Sequence, residues 1–408
     1  MSQLTSNFNT ILSPQSADIK LNALREGAKK SFLVSAIPTR RDESWRYLDL
    51  RPIFESSYKY AKDQKVSLEE QNGFSYKIVF INGIYDSSRS KLPDGLSVSL
   101  LSDAIDKDLV QLDKLTNKNI FTNLNVATVS TGYHISCTKL VSEPVAIQHA
   151  QSVDGNYGAN LVVVTIKSNA SLSVLEDSSC DTHFINNQLM VQVDAGGRLD
   201  WTQLHQSKTA TKYQNTEVYL DKGSNLNFTQ VNLGGGLVRQ DVKVDIKAAD
   251  VNASLQGLYL LKDKQVVDNH IAVNHLSPNS TCKQNYKGIL DNTARAVFDG
   301  KIFVAVGADG TAASQLNKNI LLSNTAEVDT KPQLEIYADD VKCNHGATLG
   351  KFSDEELFYF SSRGIDKAAA IHMLSSGFVR DVLLHIENAE IQKYLMPLID
   401  KQLKDYSF

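Results

Sequence analysis

Cys343 and His345 stand two residues apart in "ADDVKCNHGATLG" (338–350), in a chain with only four cysteines: Cys137, Cys180, Cys282 and Cys343. A thiol and an imidazole at that spacing share a face, about 7 Å apart, only when the backbone is extended. "QLEIYADDVKCNH" alternates as a strand does, which predicts that Asp339, Val341, Cys343 and His345 face the same way. Carboxylate, thiolate and neutral imidazole all bind iron or zinc once deprotonated. A closed zinc site takes four ligands, and no companion pair lies nearby in sequence. The ridge is half a site. Either the remaining ligands come from distant segments or another chain, or Cys343 and His345 are a buried thiol and a satisfied core histidine.

Other chemistry finds less support. A cysteine hydrolase using Cys343 with His345 as base would be the enzymatic alternative, but nothing marks an oxyanion hole or a third orienting group. His270 and His275 in "DNHIAVNHLSPNSTC" approach Cys282 without regular ligand spacing and read as structural. "LGGGLVRQ" (233–240) lacks GxxxxGK[ST] and a following helix, so it is not read as a phosphate loop. Neither GxSxG nor HExxH occurs.

The elements that would hold the ridge are legible as a repeat. "VTIKSNASLSV" (164–174), "VQVDAGGRLDW" (191–201) and "VYLDKGSNLNF" (218–228) align column by column at a period of 27. Val164, Val191 and Val218 form one column; Ile166, Val193 and Leu220 a second; Leu172, Leu199 and Leu226 a third; Val174, Trp201 and Phe228 a fourth. "VDIKAADVNASL" (244–255) continues the series with a one-residue slip in its turn. Each copy reads strand, small or polar turn, strand. An antiparallel sandwich has no reason to keep one period, whereas stacked coils do. The expected core is a right-handed parallel β-helix over 96–350, each coil being about three strands of roughly five residues, with the apolar columns as interior ladders.

Mostly helical flanks are expected on either side. In 1–95, "SADIKLNALREGAKKSFL" carries helical spacing through Ile19, Leu21, Leu24 and Phe32. "FSYKIVFINGIY" reads as a strand. Trp45 and Tyr47 in "PTRRDESWRYLDLRPIF" read as an aromatic anchor onto the body. In 351–408, "SDEELFYFSSRG" opens with a capping box from Ser353 to Glu356 and stops at Gly364. A second helix from Asp366 has an apolar stripe through Ile371, Leu374, Phe378 and Val382. A third carries Ile391, Leu395, Leu398 and Ile399, with a kink expected at Pro397. These helices either cap the open end of the solenoid or present a docking face.

Composition excludes several classes. With 42 basic and 46 acidic residues the net charge of −4 is mild, which is not the footprint of a nucleic-acid binder. The apolar runs are too short for a membrane span, and the N-terminus lacks the pattern of a secretory signal. Four unclustered cysteines do not form a disulfide framework. A cytoplasmic protein is expected. A sugar-cleaving β-helix protein is disfavoured, because no carboxylate cluster stands out.

Taken together, "ESWRYLDL" (43–50), "YKGILDNTARAVFDGKIFV" (286–304), "GTAASQLNKNILLS" (310–323), "ADDVKCNHGATLG" (338–350) and "DEELFYFSSRGI" (354–365) resemble the SufB/SufD family of iron–sulfur cluster assembly proteins. The resemblance spans most of the chain and is strongest from 286 to 380. The Trp45–Tyr47 segment and the shorter length favour the SufD branch over a SufB-like cluster scaffold, and there is no extra cysteine cluster. The resemblance implies a non-catalytic subunit that pairs with SufB through the β-helix and with the ATPase SufC through the C-terminal helices. It also implies a homodimer when alone. It makes His345 the leading functional residue and Cys343 the second, at a transient iron or cluster site on the SufB seam with no permanently bound cofactor. Ile371, Leu374 and Phe378 would lie at or just beneath the SufC contact. Removing 351–408 should then spare the solenoid.

Overall fold

The computed structural model describes residues 3–12, 21–61, 66, 73–106, 115, 118–152, 155–178 and 184–406. Ile19 and Cys180 lie outside the described residues.

The core is a β-solenoid of about seven turns. Its strands alternate between a ten-stranded and a nine-stranded sheet, and from Val145 onward every neighbouring pair runs parallel. The coil differs from the expected three short strands: it is two long ones, most of nine to eleven residues, joined by tight turns. Apolar runs such as "LVVVTI" fill a single straight strand, where breaking them at a third corner would expose backbone polar groups.

The period reads directly as register. Val164 pairs with Val191 and Val191 with Val218, while Leu172 pairs with Leu199 and Leu199 with Leu226. Val174, Trp201 and Phe228 stack the same way. All of these lie in one continuous interior cluster. Later coils lengthen: Ala253 registers on Cys282 and Cys282 on Ala313, steps of 29 and 31 residues. One turn of each coil carries a left-handed residue: Asn169, Gly196, Gly223, Asp250, Asn279 and then Gly310, with φ between 57° and 73°. Asn, Asp and Gly are the residues that tolerate this region at least cost.

The interior is two-sided. The quoted repeats build its apolar edge. The opposite edge is polar and keeps the same period: Asn160, Asn187 and Gln214 form one stacked column, and Glu176, Gln203 and Gln230 another. Amides bond from coil to coil, as Asn160 donates to Asn187 at 2.7 Å and Gln203 to Glu176 at 2.8 Å. They also bond across the lumen, where Asn232 donates to Gln240 at 2.9 Å. Further along, Tyr286 lies over Gly257, where an added Cβ would come within 2.0 Å of the ring.

Helical layers cover the two outer flanks. Helices Asn22–Val34 and Ile120–Thr128 pack Phe32 and Phe121 with Tyr157, Phe184 and Tyr213 on the nine-stranded sheet. Helices Lys367–Leu383 and Ala389–Lys404 pack Val379, Leu383, Leu395 and Ile399 onto Leu204, Val231, Leu258 and Ile289 of the ten-stranded sheet. The C-terminal helices therefore flank the solenoid and do not cap its end. The solenoid also begins before residue 96, since Tyr76–Ile81 pairs in parallel with Val145–Ala150.

Candidate functional site

Strand Val341–Gly350 is the edge of the ten-stranded sheet, and Glu327–Ile336 is the edge of the nine-stranded one. Both sheets thus stop, unpaired on one side, at the same end of the solenoid. Cys343 registers on Ala313 and His345 on Gln315. Cys343 is consequently the last member of the ladder containing Leu172, Leu199 and Leu226, and His345 the last of the ladder containing Val174, Trp201 and Phe228.

Position in the final coil decides the environment of each. No further coil covers them, so Cys343 is half-buried against the core edge beside Val341 and Leu334, and His345 is exposed. Burial raises the Cys343 thiol above its ordinary range, against a smaller lowering by the Ala313 backbone hydrogen bond. Among the described residues Cys343 and His345 share no hydrogen bond. A raised thiol without a base in contact is the reverse of an activated nucleophile, which disfavours the hydrolase reading.

Asp339 does not join the ridge. The strand starts at Val341, and Asp339 sits in the preceding bend, its amide donating to Asp309 at 3.3 Å. The alternation in "YADDVKC" continues the strand pattern through a turn, which is why sequence reading included it. Among the described residues no group of three His, Cys, Asp or Glu is placed to hold a metal. The thiol and imidazole stand together as two donors.

The remaining sequence motifs are absorbed structurally. His275 is buried, shares a 2.7 Å hydrogen bond with Ser280 Oγ, and is pushed down to about 4 by burial. His270 meets Asp268 at 2.9 Å on the outer face. Cys282 is buried and pushed up to about 12. Gly235 and Gly236 turn a tight corner, where an added Cβ would meet Val238 or the Thr209 carbonyl at 2.4 Å. Trp45 anchors the N-terminal segment as expected: its ring packs on Phe121 and Tyr213, and Arg239 lies 4.4 Å above it while donating to the Ser44 carbonyl.

The C-terminal stripe divides. Phe378 turns toward the solenoid, with Lys287 Nζ 4.6 Å over its ring and 2.7 Å from Asp381. Ile371 is buried and Leu374 half-buried. Among the apolar residues that face solvent are Phe358 at 72%, Tyr359 at 55%, Met373 at 51% and Leu384 at 75% exposure. The signal was in "LFYF": consecutive helical residues point about 100° apart, so three adjacent aromatics cannot all face inward. The polar edge of the lumen was also missed. There Glu176 accepts from Trp201 and Gln203, contacts His149, and feels the buried Lys212.

Among the described residues no helix is long and apolar enough to cross a membrane. The profile described as "SUF system FeS cluster assembly, SufBD core domain" matches residues 147–378, and that of the "SufBD protein N-terminal region" matches residues 2–148. They meet inside strand Val145–Ala150, so the first coils belong to the N-terminal match. An iron–sulfur cluster assembly SufBD family protein of Synechocystis is 28% identical, covering 90% of this chain and 88% of its own length. The iron–sulfur cluster assembly protein SufD of Escherichia coli is 26% identical over 93% of this chain and 94% of its own. The chloroplastic protein ABCI7 of Arabidopsis thaliana is 26% identical over 96% and 88%. A solenoid with two uncovered edges and a matched core across more than half of its length place this chain in the SufBD family of iron–sulfur cluster assembly proteins.

Proposed function

We propose that the chain is the SufD-type, non-catalytic subunit of a Suf assembly complex, joining SufB at the open end of the solenoid and SufC at the C-terminal helices. The observation that carries this reading is the position of Cys343 and His345 on one of the two strands whose outer edges are free to pair at this end of the solenoid. An exposed edge is a template for a second chain, and joining there extends both sheets at once. The two donors then face a seam to which a partner brings the rest of the ligand set.

The cluster or its iron is cargo at that seam. Exposed His345 offers its imidazole to iron without rearranging the core. Cys343 binds less readily, because its thiol must first lose a proton that burial helps it keep. Iron–sulfur clusters accept histidine in place of a thiolate. The same two donors support a part for this subunit in iron entry.

The test is the iron and acid-labile sulfide content of the complex purified after co-expression with SufB and SufC. His345→Ala should leave the subunits associated and reduce loading by about tenfold or more, since even the outer-shell partners of a metal ligand are worth about that much. Cys343→Ala should be milder, since the partner can supply thiolates. Normal loading by the His345→Ala complex would make His345 a surface residue of the edge strand and no more.

A further inference from the structure

The two free edges of the solenoid are not equivalent. In a parallel ladder one residue turns both its N–H and its C=O to one neighbour, and the next residue turns both to the other side. Glu327 donates to the Ala294 carbonyl and Tyr337 to that of Val304, with an unbroken register between them. The odd positions of strand Glu327–Ile336 therefore face the sheet, and Val328, Thr330, Pro332, Leu334 and Ile336 face the free side. Pro332 is the middle one of these and has no N–H to offer. On the other edge, Ala312 and Leu322 donate back to Ser280 and Leu290. This turns Val341, Cys343, His345, Ala347 and Leu349 to the free side, and each of them carries a donor. One edge offers a complete row; the other is broken at its centre.

The break lies level with the imidazole. Gly300 and Gln315 meet across the lumen, where a Cβ added to the glycine would come within 2.1 Å of the amide. One coil further on, Pro332 registers on Gly300 and His345 on Gln315. The proline thus stands across the mouth of the solenoid from His345. We propose, resting on the reading that a SufB partner joins at this end, that Pro332 keeps a window in the seam through which ferrous iron reaches His345. The partner zips onto Val341–Gly350 by a full row of backbone bonds. Against Glu327–Ile336, a partner carbonyl aimed at position 332 finds no donor. Sealed in a dry seam it would be an unsatisfied buried group, so it is stable only where water reaches it. Within a sheet, proline is confined to edge strands with its N–H side turned outward, and there it works against complete pairing. Here the incomplete pairing falls at the level where cargo must enter.

Diethyl pyrocarbonate modifies accessible imidazole, and mass spectrometry of the peptide carrying His345 reads the window. In the complex purified with SufB and SufC, His345 should be labelled nearly as fast as in the free chain. Pro332→Val restores the missing donor and should slow labelling in the complex about tenfold, the scale of one backbone hydrogen bond acting on an opening equilibrium. Anaerobic uptake of ferrous iron by the same complex, prepared free of metal, should slow alike. Pro332→Thr, another strand former, should behave as Pro332→Val does. In the free chains all three proteins should label equally, which also reports that the edge strand is folded. If no complex is recovered, the joining of SufB at this end fails and the window with it. If the complex forms but protects His345 in the wild type, or if labelling or iron uptake is unchanged by both substitutions, the window alone is overturned.

Discussion

His345 stands on Gln315 across the last two strands of the ten-stranded sheet, and Gln315 is buried beneath it. The Gln315 amide donates to Gln284 at 2.9 Å and presses toward Gly300, where an added Cβ would come within 2.1 Å of it. Its Oε1 has no hydrogen-bond partner among the described residues. A buried acceptor left over directly under an imidazole is suited to take one ring N–H and leave the other nitrogen free for a metal, as outer-shell partners of metal-binding histidines do.

Gln315→Leu should therefore act through His345. The complex should still assemble, and its iron and sulfide content should fall by roughly tenfold at most, the lower end of outer-shell effects. In the His345→Ala background the same change should add nothing. An additive loss in the double variant would separate Gln315 from the imidazole.

The apolar ladders make a stability prediction. Leu199 is fully buried and registered between Leu172 and Leu226, with coils above and below that restrict collapse. Leu199→Ala should cost roughly 2–5 kcal/mol, read as a lowered urea midpoint with unchanged slope. A cost below about 1 kcal/mol would mean that the coils close over the missing methyls.

The ladders were legible because apolar columns at a constant period have few other causes. Val164, Leu172 and Trp201 could be assigned to the interior before their partners were known. The polar columns of Glu176, Gln203 and Gln230 kept the same 27-residue step, yet polar side chains at strand positions are read by default as facing water. Only the opposing sheet reveals that they face each other. The count of strands per coil failed for a related reason: a period fixes the length of a coil but not the number of its corners. At the site, spacing placed Cys343 and His345 correctly on one strand and could not show that Asp339 falls outside it. Helix amphipathicity identified Phe378 as apolar but not what it covers, because the flank of the solenoid is itself apolar at Leu204, Val231 and Leu258.

That flank changes how docking should be tested. Deleting 351–408 would uncover Leu204, Val231, Leu258, Leu260 and Ile289, so the truncated solenoid should aggregate and not simply lose a partner. Point changes on the solvent face are cleaner. Phe358→Ser with Tyr359→Ser should weaken SufC binding by about tenfold or more while leaving the melting temperature nearly unchanged. Phe378→Ala should do the opposite, lowering stability first, because it removes the ring under Lys287. Calorimetric titration with SufC, set beside thermal melts, distinguishes the two faces. Full-strength binding by the Phe358/Tyr359 variant would return the contact to the Ile371 and Leu374 side.

The buried carboxylate predicts a pH dependence with a definite sign. Burial by itself raises the Glu176 carboxyl, but the His149 hydrogen bond and charge, the Lys212 charge and the Gln203 amide outweigh it and hold the group at about 2 against an ordinary 4.5. Its pKa is lower folded than unfolded, so its contribution is complete above about pH 4.5 and is lost as the pH falls toward about 2. Glu176→Gln removes the charge and turns one acceptor into a donor facing Trp201, Gln203 or His149. The substitution should cost roughly 1–3 kcal/mol at neutral pH, the price of an unsatisfied buried group. Lys212, already held down to about 8 by burial, loses a compensating charge and falls further. Urea midpoints of the two proteins should therefore converge as the pH is lowered from about 5 to about 3, where the wild type surrenders the advantage that the variant never had. A gap that stays constant over that interval would mean that the Glu176 carboxyl titrates alike in the folded and unfolded chain, and the polar edge of the lumen would then gain nothing from a buried charge pair.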